Sequence, residues 1–86
     1  MATEELKRRA SQGDSEAEYD LAYDFYQKGD YPNTVAWFER IISNPSHPRY
    51  RHSVNSLAEI CEHGKYPGIS EEESLDKAVN LFNMKR

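Results

Sequence analysis

Cys61, His63, His52 and His47 are the side chains in this sequence best suited to binding a metal or attacking an electrophile. A zinc site needs about four such groups converging, and a thiolate nucleophile needs a base within hydrogen-bond reach. The spacing argues against both. His63 stands two positions beyond Cys61, roughly 200° around a helix, so the two side chains leave it in nearly opposite directions. Cys61 also continues the apolar row Val54, Leu57, Ala58 at helical spacing, and no second cysteine supplies a paired-ligand motif. A buried structural thiol is the reading, and neither a metal nor a cofactor is expected.

The carboxylates Glu16, Asp20 and Asp24 recur every four residues. That spacing marks a solvated helix face more often than a cation site, and no loop carries the alternating acidic ligands of a calcium site. Glu71, Glu72 and Glu73 suit the start of a helix, where the helix dipole favours negative charge. A phosphate-binding glycine loop and a nucleophile elbow are both missing from the sequence, and its 4 glycines leave little freedom for an oxyanion hole. No catalytic residue is assigned, and the protein reads as a non-enzyme.

Punctuation residues mark the elements that position these groups. Thr3, followed by Glu4 and Glu5, can cap a short first helix ending before Gly13. Asp14 can cap a second helix, which stops at Gly29. After Asp30-Tyr31, Pro32 suits the first position of a third helix that ends at Asn44-Pro45. Pro48 can open a fourth helix ending at Gly64. Beyond the loop KYPGIS, Ser70 and Glu73 form a capping box for a fifth helix. No alternating run argues for a strand.

Apolar periodicity supports the same division. Ala17, Leu21, Ala22, Phe25 and Tyr26 cover one arc of the second helix, and Leu75, Ala78, Val79 and Phe82 are expected to form the inward face of the fifth. The fold class is therefore all-α, built of antiparallel hairpins.

Composition bounds the partners. A chain of 86 residues is one small domain, and 37% hydrophobic with 30% charged residues favours folding over disorder. The net charge of -4 disfavours a nucleic-acid backbone, despite the local Lys7-Arg8-Arg9. A single cysteine excludes an internal disulfide and fits a reducing, cytoplasmic compartment. The sequence lacks the roughly 20 apolar residues of a membrane span, and MATEELKRR lacks the core of a signal peptide, so no membrane partner is expected.

The chain also repeats itself. Leu21-Ala22 with Gly29 corresponds to Leu57-Ala58 with Gly64, and Thr34-Val35 with Phe38 corresponds to Ala78-Val79 with Phe82. Leu21, Ala22, Phe25, Gly29, Asp30, Tyr31, Thr34, Phe38, Ile41 and Pro45 resemble the residue order of a tetratricopeptide repeat. Ala10, Gly13-Asp14, Ala17, Tyr19, Leu21-Ala22, Tyr26 and Gly29, with Lys77-Ala78 and Leu81-Phe82, are similar to the related Sel-like repeats. Glu18 stands where the first family carries a tryptophan, Thr34 where it carries alanine, and Cys61 where an aromatic is common.

The resemblance implies a short α-α superhelix, or solenoid, of about five helices: a capping helix over 3–12, one repeat over 14–44 and a second over 48–84. Small residues such as Ala22, Thr34, Ala58 and Ala78 let helices approach, while Phe25, Phe38 and Phe82 are expected to fill gaps between hairpins. Trp37, Leu81 and Met84 are candidates for closing an open end, by a partner or in a homodimer.

Such repeats use the first helix of each hairpin to line a concave groove. Carried over, that places Glu16, Tyr19, Tyr23, Tyr26 and Gln27 from the first unit in the groove, with His52, Asn55, Glu59, Glu62 and His63 from the second. Tyrosine offers rigid contact area plus a hydroxyl, and neighbouring carboxylates favour a partner protein with a basic segment. The expected function is protein binding, as an adaptor, inhibitor or immunity protein. In the alternative, Tyr19, Tyr23 and Tyr26 pack as core against the first and fourth helices, or the open ends drive self-assembly.

Overall fold

The computed structural model describes residues 3 to 84, which form five helices: α1 (Thr3–Ser11), α2 (Ser15–Gln27), α3 (Tyr31–Ile42), α4 (Tyr50–Glu62) and α5 (Glu71–Met84). No strand occurs among the described residues. The chain is all-α, and none of these helices is long and apolar enough to cross a membrane.

Local chemistry sets the boundaries. Asp14 accepts the Ala17 N–H at 3.2 Å and Asp30 accepts the Asn33 N–H at 3.3 Å, each answering one of the unpaired donors at a helix start. Ser70 accepts the Glu73 N–H at 3.2 Å, the first half of a capping box, while its hydroxyl, rather than its backbone N–H, donates to the Glu73 carboxylate. The far ends of α2 and α4 close identically. Asp30 N–H bonds Phe25 C=O at 2.9 Å and Gly29 N–H bonds Tyr26 C=O at 3.0 Å; Lys65 to Ile60 and Gly64 to Cys61 repeat the pattern at 3.0 and 3.1 Å. This crossed pair of bonds needs a left-handed residue, and Gly29 and Gly64 supply it at φ 76° and 69°.

Two boundaries differ from expectation. Thr3 is itself helical; its hydroxyl is spent on Asp24 of α2 and accepts from Lys28, tying the first two helices together. Pro48 does not open α4. Instead α3 stops at Ile42 and α4 begins at Tyr50, because His47 organises the connection into a turn.

Each helix packs on the next in chain order, and no other pair makes more than marginal contact. The result is a slab of 36 × 27 × 15 Å. Its apolar interior has two parts. Leu6, Ala10, Ala17, Leu21 and Phe25 join α1 to α2; Ala22, Val35, Phe38, Ile41, Val54, Leu57, Ala58, Ile60, Cys61, Ala78 and Leu81 join α2 through α5. Trp37 packs against both and so couples them.

The fifth helix is rotated from its expected orientation. Its buried positions are Ser74, Ala78 and Leu81, whereas Leu75, Val79 and Phe82 are 50%, 59% and 37% exposed. The difference is about one residue, or roughly 100° of helix. Small side chains at 74 and 78 allow close approach to α4. Lys77 is held 3.6 Å from Glu39 and 4.9 Å from the centroid of Tyr66, whose hydroxyl also bonds Glu39. The stripe of Leu75, Val79 and Phe82 is left facing outward. Phe82 therefore does not fill a gap between hairpins, although Phe25 and Phe38 are buried. Met84 is also exposed.

Candidate functional site

The tyrosines expected along the second helix form a ladder. Tyr19, Tyr23, Tyr26 and Tyr31 stack edge to face with successive ring centroids 5.1, 6.2 and 5.9 Å apart, a geometry that the aromatic quadrupole favours. Phe38, wholly buried on α3, lies beneath, 6.0 Å from Tyr19 and 5.9 Å from Tyr23. Tyr19 is half-buried against the larger apolar cluster. Its burial, with a hydrogen bond to Tyr23, pushes the phenol up to about 12. Tyr23 and Tyr26 are each 40% exposed, so the placement of Tyr26 on the buried arc is corrected: it belongs to the surface.

These rings sit in a cleft with α2 and α4 as walls and α3 as floor. Tyr23, Tyr26, Phe38, Ser56 and Glu59 line a cavity of about 70 Å³ there. On the other side of Tyr23, a shallow depression of about 280 Å³ is bordered by Leu6, Asp20, Asp24 and Gln27. His52 faces Tyr19 across the cleft, ring to ring at 6.1 Å. Tyr19, Tyr23, Tyr26, His52 and Glu59 are thus brought together, with Gln27 alongside. Asn55 is exposed on α4. Glu62 and His63 are exposed at the end of α4, and nothing places them in the cleft.

Glu16 has a partner within the chain. The Arg49 guanidinium bonds its carboxylate at 2.9 to 3.2 Å and lies 5.3 Å from the Tyr19 ring centroid, closing that end of the ladder. Asp24 is similarly engaged by the Thr3 hydroxyl and Lys28, which hold its carboxyl below the ordinary range. The acidic row is thus partly partnered rather than uniformly solvated. Cys61 is 1% exposed in the core, where burial raises its thiol. No three His, Cys, Asp or Glu side chains converge among the described residues.

One polar cluster escaped sequence reasoning. Glu18 and His47 are buried together, with Glu18 Oε1 3.2 Å from His47 Nε2 and Glu18 Oε2 3.3 Å from Arg40 Nε. The Arg49 N–H donates to His47 Nδ1 at 3.0 Å, so Nε2 carries the proton and donates to Glu18. The cluster clamps the α3–α4 turn onto α2 and places Arg49 over Tyr19. Its sequence signals were Glu18 standing four residues before Ala22, on the apolar face, and its place where the resembled repeat carries a tryptophan. No family model, curated protein or solved structure matches the chain.

Proposed function

We propose that this protein is a binding module of the tetratricopeptide or Sel-like kind. Its α2–α4 cleft holds a segment of another protein that carries basic residues. The observation that carries the reading is the meeting of Tyr23 and Tyr26 from α2 with Glu59 from α4 over Phe38. Serial packing supports it, since α3 separates α2 and α4 just enough to leave a groove between the first helices of two hairpins. Exposed tyrosines are enriched in binding hot spots, and the carboxylate beside them complements a basic segment. The role this suits is that of a small cytoplasmic adaptor, inhibitor or immunity protein working without chemistry of its own.

A photo-reactive phenylalanine analogue at Tyr26 tests this against the same probe at Glu72, on the first turn of α5. A discrete adduct from position 26, lost when Tyr23→Ala and Glu59→Lys are added, supports the cleft. Adducts from position 72 alone, or none, refute it.

The exposed stripe on α5 favours a second reading, self-association. Leu75, Val79 and Phe82 are self-complementary: antiparallel pairing sets Leu75 against Phe82 of a second copy, with Val79 near the twofold axis. The exposed face of α1 carries Glu4, Glu5 and Arg8, which disfavours head-to-tail stacking. Light scattering that reports a dimer, converted to monomer by Val79→Asp, supports this arrangement; a monomer at high concentration excludes it.

A further inference from the structure

The tyrosine ladder is already occupied by cations at both ends. Arg49 lies over Tyr19 at 5.3 Å, and the Lys65 ammonium lies 6.0 Å from the centroid of Tyr31. No such cation covers the two middle rings among the described residues, and Glu59 beside them forms no ion pair or hydrogen bond through its carboxylate. At both ends of the ladder the chain supplies its own positive charge; between them it leaves two part-exposed rings and, among the described residues, an unpaired carboxylate.

We propose that the pocket formed by Tyr23, Tyr26, Phe38, Ser56 and Glu59 takes the cationic side chain of a lysine or arginine from the bound segment. This deepens the cleft reading above and rests on it. Aromatic faces attract ammonium and guanidinium groups, more strongly as the site is desolvated, and the buried Phe38 floor supplies that desolvation. Glu59 neutralises the incoming charge, and the Ser56 hydroxyl lies within the same lining. The cavity is small, about 70 Å³, which suits a cationic head group of a few heavy atoms. The wider depression beyond Tyr23 is a poorer candidate, because it is lined by one aromatic ring rather than three and one of its two carboxylates, Asp24, is already neutralised by Lys28 at 2.9 Å.

The test is an amide chemical-shift titration with N-acetyl-arginine methylamide and N-acetyl-lysine methylamide, with the citrulline and norleucine analogues as neutral controls. Saturable shifts at Tyr23, Tyr26, Ser56 and Glu59 with the cations alone are expected. Glu59→Gln and Tyr23→Leu should each weaken them at least fivefold while leaving the rest of the amide spectrum in place. Equal response to citrulline, shifts spread over Glu71–Glu73 without saturation, or indifference to Glu59→Gln would overturn the proposal. The probes need no partner. A cleft that cross-links its partner yet ignores the cations sinks this inference alone; a pocket that selects cations while position 26 yields no adduct overturns the cleft reading and, with it, the assignment of the cation to a bound segment.

Discussion

His47 Nε2 donates to Glu18 Oε1 at 3.2 Å across 29 positions of the chain, with both side chains buried. Truncating either partner strands the other away from water. Glu18→Ala and His47→Ala are each expected to cost about 1–3 kcal/mol, the penalty for an unsatisfied buried polar group. The double variant should cost less than the sum of the two. Urea denaturation of all four proteins checks this, and simple additivity would mean that the pair is uncoupled.

Phe38 and Ser53 should respond in opposite directions. Phe38 has no exposed surface, so Phe38→Ala should destabilise by about 3–5 kcal/mol through lost burial and the cavity left behind. Ser53 is equally buried, but its Oγ has no hydrogen-bond partner among the described residues, so Ser53→Ala should be neutral or stabilising by up to about 1 kcal/mol. Thermal melts of the two variants decide the matter, and a silent Phe38→Ala would overturn the packing described above.

The rotation of α5 makes a prediction that contradicts its apolar periodicity. Leu81→Ala should cost about 2–5 kcal/mol, whereas Leu75→Ser and Val79→Ser should stay within about 0.5 kcal/mol of the parent monomer. If Leu75 and Val79 prove as costly as Leu81, the helix faces the core through the other stripe.

Acid should weaken the fold through two carboxylates. The Ala17 N–H and then Arg9 hold Asp14 below its ordinary value, and the Thr3 hydroxyl and then Lys28 do the same for Asp24. In the window below about pH 4, the unfolded chain binds more protons than the folded one, so stability rises with pH there. The contribution is complete above the unfolded value and is lost as pH falls through the lower folded values. Melting temperatures measured from pH 6 to pH 2 should drop at the acid end, and Asp14→Asn with Asp24→Asn should flatten that drop. An unchanged slope would show that other groups carry the acid response.

Sequence alone determined the helices, because their signals are local. Asp14, Asp30 and Ser70 find their donors within three residues, and Gly29 and Gly64 adopt a left-handed turn that other residues resist. The apolar rows of α2 and α4 were legible because each repeats at helical spacing, and all of their members but Tyr26 are buried. The repeat resemblance puts Tyr23, Tyr26 and Glu59 on one surface, and in the fold they line one cavity.

Tertiary structure decided what depends on distant partners. A helix with apolar residues on two adjacent stripes can turn either one inward, and in α5 the assembled fold buries Ser74, Ala78 and Leu81 while Leu75 and Val79 stay exposed. Likewise the burial of Glu18 depends on His47 and Arg40 arriving from other parts of the chain to satisfy its charge. Which rings of the tyrosine ladder stay open was set by where Arg49 and Lys65 come to rest. Capping and periodicity act over a turn or two of chain, whereas the desolvation and pairing of charges depend on the assembled fold, which no short stretch of residues encodes.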